Sequence, residues 1–265
     1  GVVFGADAGD AALTAEPLLL PMALATSVAG VLGMLAARTM ARLVAWLTVA
    51  SVGTILAAIG LFSAAAWSAA MYYMANSTLV IAGLFLLTEL VAAQRGDAAD
   101  RLAPASPVAQ PVLLGLMLLL AAASAAGLPP LPGFIGKLML LEAASAHAAQ
   151  VAVWTVVLGV GFLTLIGLAR AGSVLFWHVR DDLPPMGASG ASPQLVGATL
   201  LLLAATVAMS ALAAPIQRYT AAAAAQLGDR AAYARAVLGE AGEAIDTTRP
   251  YRFAPPPAAM QEGGR

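Results

Sequence analysis

The chain has 265 residues, of which 61% are hydrophobic and only 10% charged, whereas a soluble domain is about half apolar and about a quarter charged. That composition excludes an ordinary soluble domain and supplies enough apolar side chain for about seven bilayer spans. Thirteen basic against fourteen acidic residues exclude a basic field for nucleic acid, and the absence of cysteine excludes disulfides, thiolate metal sites and cysteine nucleophiles.

The chain opens at Gly1 with no basic stretch before its first apolar run, so no signal peptide is recognised, and the first residues read as the middle of a longer subunit. Apolar windows bounded by charge, proline or glycine then fall at about 18–37, 43–62, 66–92, 108–127, 131–147, 151–172 and 195–214. Lipid leaves no partner for a free strand edge, and alternating ten-residue strands are absent, so all seven are predicted to be helices. The fold class is therefore all-α transmembrane, a polytopic bundle of about seven spans with one broken helix. Residues 1–17 form a polar N-terminal segment, 18–214 the membrane domain and 215–265 a surface helix and disordered tail. Two polar loops interrupt the bundle, at 93–107 and 178–194. Residues 216–246 mix charges with Leu227, Tyr233, Val237, Leu238 and Ile245, as in a helix lying on a membrane or partner surface. Arg38, Arg42, Arg95, Arg101 and the six tail arginines fall on one side of a seven-span layout, against Arg180 alone on the other, which places the tail in the cytoplasm.

Of the 27 charged residues, Glu89, Lys137, Glu142 and Arg170 lie inside these windows. A charge at mid-span costs at least about 2.5–3.5 kcal/mol, so each requires a reason. Lys137 follows a run containing Pro129, Pro130, Pro132, Gly133 and Gly136, and prolines that remove N–H donors must break or unwind the helix there. A broken membrane helix frees backbone carbonyls, tolerated only against protein or a water-filled cavity, and such breaks mark ion sites. A lysine just beyond the break can take up and release protons, the chemistry of a relay, or else snorkel to an interface. Glu142, five residues on and about 140° round the helix, faces a neighbour or the interface. His147, about 15 Å along a helix from Lys137, is a candidate to pass protons to an aqueous face. Glu89 is near enough to a helix end to reach water. Arg170 caps a helix end or anchors at headgroups with Trp177, and His178 is a loop residue. Asn76, Ser77 and Thr78 hydrogen-bond across helices, hold water or serve packing. Gly33, Gly53, Gly60, Gly83 and Gly115 are read as sites of close helix approach. No phosphate loop, GxSxG, HExxH or paired metal-ligand motif is present, so no cofactor and no metal is expected.

The run Gly127-Leu-Pro-Pro-Leu-Pro-Gly-Phe-Ile-Gly-Lys137 resembles the GLPPLxGFIGK motif of the antiporter-like family shared by Mrp-type multisubunit Na+/H+ antiporters and the proton-pumping membrane arm of NADH:quinone oxidoreductase. Residues 41–53 are similar to that family's KRLLAYSSVSHxG and 76–86 to its NHxLxKAxLFL, while 225–239 resemble the tail of the D-type Mrp subunits. The resemblance implies that Lys137 is the terminal proton-transfer lysine of the second of two half-channels. It also implies partner membrane subunits, and protons and Na+ as the ions carried. Family titratable positions are occupied here by Ala41, Ser51, Asn76 or Ser77, and Ile81, which makes Ser51, Asn76, Ser77 and Thr78 the candidate polar path. Family members carry about fourteen helices, so the expected chain is the C-terminal half of a subunit in the bacterial inner membrane. The resemblance also implies external termini, opposite to the arginine count. The leading expectation is a proton-conducting antiporter subunit rather than an enzyme. The alternatives are a proton-pumping subunit of a respiratory dehydrogenase or membrane hydrogenase, and a non-conducting structural subunit.

Overall fold

The computed structural model describes residues 16–178, 192–229 and 232. The described residues 16–178 and 192–227 belong to one compact unit. The expected N-terminal polar segment up to residue 15, the loop around Arg180 and the expected disordered tail fall outside the described residues.

Each of the seven apolar windows coincides with a helix: α1 (Glu16–Ala36), α2 (Met40–Ile59), α3 (Ala64–Gln94), α4 (Pro111–Ala126), α5 (Pro132–Ala144), α6 (Gln150–Phe176) and α7 (Pro193–Ala211). An eighth, α8 (Ala213–Gly228), follows and covers the first part of the predicted surface helix. Their limits are set by local chemistry. Thr39 and Ser63 accept hydrogen bonds from the amides of Arg42 and Ala66 and so cap the starts of α2 and α3. Pro111, Pro132 and Pro193 stand in the first turns of α4, α5 and α7, where their missing N–H costs nothing. This is a membrane protein. Helices α1, α2, α3, α6 and α7 are each long and apolar enough to cross a bilayer, and large apolar side chains such as Leu116, Leu119, Leu158, Phe162 and Leu201 are exposed on the outside of the bundle.

The order of contacts shows how the short helices fit. Along α3, Gln94 meets Gln110 just ahead of α4, Asn76 meets Ser124 near the end of α4, and Tyr73 lies against Gly136 in α5. Along α6, Gly172 faces Leu118, Gly161 faces the Ala126 carbonyl, and the Trp154 indole donates to the Leu141 carbonyl at 3.0 Å. Helices α4 and α5, of 16 and 13 residues, therefore lie end to end between the 31-residue α3 and the 27-residue α6. They are the two halves of one interrupted crossing, which is the break that the prolines demand. Counted this way, Arg38, Arg42, Arg95, Arg101 and Arg170 gather at one end of the bundle. The α2–α3 and α5–α6 turns and α8 gather at the other, where Ser68 and Thr220 join hydroxyls at 2.9 Å.

Helices α1 and α2 approach closely because Gly30 sits on the Ala50 backbone, Gly33 on the Trp46 ring and Gly53 on Ser27. Gly115 departs from the packing expected of it. A Cβ there would meet nothing within 4 Å, because the residue lines an apolar groove between α4 and α6.

Candidate functional site

Helix α4 ends at Gly127, whose φ of +86° suits a residue without Cβ. The amide of Gly127 donates to the carbonyls of Ala123 and Ser124, and that of Leu128 to Ala123. This turn leaves the next two carbonyls, of Ala125 and Ala126, without backbone donors, as every helix C-terminus leaves its last acceptors. The Lys137 ammonium supplies the donors. Its Nζ lies 3.1 Å from the Ala125 oxygen and 2.7 Å from the Ala126 oxygen. One half of the interrupted helix thus contributes the cation, and the other contributes the negative end of its dipole.

Local sequence produces this crossing of the gap. Pro129, Pro130 and Leu131 carry the chain from α4 to α5, with a cis peptide between the two prolines. Pro132 starts α5, and Lys137 follows in its second turn, its side chain running back toward the α5 N-terminus and so toward α4. Gly133 admits the Ser124 carbonyl into the space a Cβ would fill, and Gly136 lies against Tyr73. Lys137 is 8% exposed. It borders a half-open apolar pocket of about 250 Å³ whose walls include Gly127, Phe134, Leu141, Gly161 and Phe162. Gly161 is near the middle of α6, which puts the ammonium well inside the bundle.

The other expected residues divide. Asn76 is buried and accepts a hydrogen bond from the Ser124 hydroxyl at 2.9 Å, one residue before the carbonyls that hold Lys137. Ser77 is buried beside it. Thr78 is exposed, its hydroxyl turned back to the Met74 carbonyl at 2.8 Å, and stands apart from the site. Ser51 is buried, in a second polar cluster between α1, α2 and α3, where the Tyr73 hydroxyl hydrogen-bonds with Ser51 and Thr54, and Thr54 lies 3.5 Å from the Ser27 hydroxyl. Glu142 is exposed and makes no ion pair with Lys137 among the described residues. His147 is half-buried in the turn after α5, where its Nδ1 accepts from the Ala149 amide at 3.1 Å. Arg170 takes the capping role, donating to the Ala37 carbonyl at the end of α1 at 3.1 Å. Sequence reading passed over Ser124, Tyr73, Thr54 and Ser27. The available signal was small hydroxyls and a tyrosine inside otherwise apolar helices.

Residues 7–165 match the family model described as NADH:quinone oxidoreductase/Mrp antiporter, TM. The chain belongs to this family. It is 32% identical over 247 residues to a probable D-type K+/H+ antiporter subunit of Rhizobium meliloti, covering 82% of this chain and 45% of that protein. It is 29% identical to the D-type Na+/H+ antiporter subunit of Bacillus subtilis, over 73% of this chain and 39% of the relative. Among solved structures, the Mrp complex from Dietzia sp. DQ12-45-1b contains a chain that superimposes with a TM-score of 0.73 at 25% identity, covering 86% of this chain and 50% of that one. The chain spans half or less of the length of these relatives.

Proposed function

We propose that this chain is the C-terminal, proton-conducting half of the D-type subunit of a bacterial Mrp-type antiporter, exchanging protons for Na+ or K+ in the inner membrane among other membrane subunits. The assignment to the D type rests on the relatives that carry that name, one a K+/H+ and one a Na+/H+ antiporter subunit. The observation that carries the mechanism is the buried Lys137 ammonium bound by the last two carbonyls of α4 beside a half-open pocket. Protonated, the side chain satisfies both carbonyls. Deprotonated, it loses the charge that fixes it to the α4 terminus and is free to turn toward the adjoining pocket, so each proton taken up or released is coupled to a movement of the side chain.

The test uses the full complex reconstituted in vesicles, with proton movement driven by a Na+ or K+ gradient. Lys137→Ala is expected to abolish it. Lys137→Arg, which keeps a charge that does not titrate, is expected to abolish it too. Transport retained in Lys137→Ala would leave the chain as a structural subunit.

A further inference from the structure

Three segments meet at Asn76. From α3, its Oδ1 accepts the Ser124 hydroxyl of α4 at 2.9 Å, and its Nδ2 lies 3.2 Å from where a Gly133 Cβ would stand. The Ser124 carbonyl presses into that same Cβ space at the start of α5. Asn76 is 1% exposed and Ser124 is fully buried. Ser124 immediately precedes Ala125 and Ala126, so pinning it fixes the last turn of α4, and with it the two oxygens that bind Lys137.

We propose that Asn76 and Ser124 are positioning residues for Lys137: by clamping the end of α4 to α3 they hold two carbonyls at ammonium distance and set the pH at which the lysine exchanges its proton. The proposal rests on the reading of Lys137 as the proton carrier. Few other charges compete for control. Helices α4 and α7 carry no titratable side chain. On α5 the remaining group is the exposed Glu142, and on α6 it is Arg170, engaged at the end of α1. Helix α3 contributes Tyr72, which donates to the Met209 carbonyl, Tyr73, held by Ser51 and Thr54, and Glu89, thirteen residues beyond Asn76.

The experiment is the pH profile of cation-driven proton movement by the reconstituted full complex. Asn76→Ala and Ser124→Ala release the α4 terminus and weaken the hold on the ammonium, so the Lys137-dependent limb moves to lower pH by roughly half to one unit. Asn76→Asp keeps the acceptor for Ser124 and adds a negative charge, so the limb moves to higher pH. Ser124→Thr keeps the hydroxyl and the wild-type profile. The double alanine variant shifts no further than either single one, since both break one contact. If these variants lower the rate with the profile unmoved, or Asn76→Asp shifts it downward, the clamp is packing alone and the proposal fails. If Lys137→Ala itself still transports, the relay reading has failed, and that outcome is distinct. Should the alanine variants not assemble, Asn76→Asp still decides the sign.

Discussion

A methyl group added at Gly133 and one added at Gly115 have opposite surroundings in the same interrupted crossing. At Gly133 it would occupy the position of the Ser124 backbone carbonyl, which cannot swing aside as a side-chain tip would. Gly133→Ala is expected to displace the α4 terminus, cost about 1–3 kcal/mol and impair transport with Lys137 intact. At Gly115 the methyl enters open space, and Gly115→Ala should be neutral or slightly stabilising, by less than about 1 kcal/mol. Thermal unfolding of the purified protein in detergent distinguishes the two. Thr78→Ala provides a third comparison, with transport expected unchanged because that side chain is exposed and bonded to its own helix. These positions also show how far the site was legible beforehand. Lys137 and its break stood out because proline acts locally and a buried charge in an apolar run is conspicuous. Asn76, Ser77 and Thr78 are consecutive, about 100° apart on one helix. Only the rotation of α3 against α4 selects Asn76, and that rotation is a tertiary property.

At the scale of elements, the 95–103 connection is built around a buried cation. Arg95, 2% exposed, donates through Nη1 to the carbonyls of Ala99 and Arg101 at 3.2 and 2.6 Å, and through Nη2 to that of Ala103 at 2.7 Å. Burial pulls its proton affinity below the ordinary arginine value, and nearby Asp100 acts in the opposite direction. The loop wrapped around it reaches the α1–α2 turn. Asp100 accepts from the amides of Met40 and Ala41, and the Leu102 amide donates to the Arg38 carbonyl. Arg95→Lys keeps a charge but presents no planar fork to three separated carbonyls. We expect it to destabilise the protein by about 1–3 kcal/mol, read as a lower melting temperature and faster proteolysis within 95–103. Sequence alone made this arginine one more loop charge, because nothing local says that the chain will fold over it. The pairing of α4 with α5 was equally hidden. Each is apolar enough to pass for a span, and only contacts with α3 and α6 reveal them as consecutive halves.

At the scale of the whole chain, that pairing decides which end of the bundle each segment occupies. With seven separate spans, the tail shares a side with Arg38, Arg42, Arg95 and Arg101. With α4 and α5 forming one crossing, α8 lies at the opposite end from those arginines, and the six tail arginines no longer add to their side. The rule that cytoplasmic connections carry the excess of Lys and Arg counts residues within about 15–20 of a span end. Of the six tail arginines only Arg218 and Arg230 lie that close to α7, against Arg38, Arg42, Arg95, Arg101 and Arg170 at the other end, so we expect the Arg95 loop in the cytoplasm and α8 outside. The chain contains no cysteine, so a single cysteine introduced into it is its one thiol, and the complex without that substitution gives the labelling background. Asp97 in the loop and Tyr219 on α8 are both exposed and suit the substitution. In intact cells expressing the full complex, a membrane-impermeant maleimide should label Tyr219→Cys and leave Asp97→Cys untouched until the membrane is opened. In inverted vesicles the pattern should reverse. Labelling of both positions from one side would mean that α4 and α5 cross the membrane separately, and would overturn the single interrupted crossing on which the Lys137 site depends.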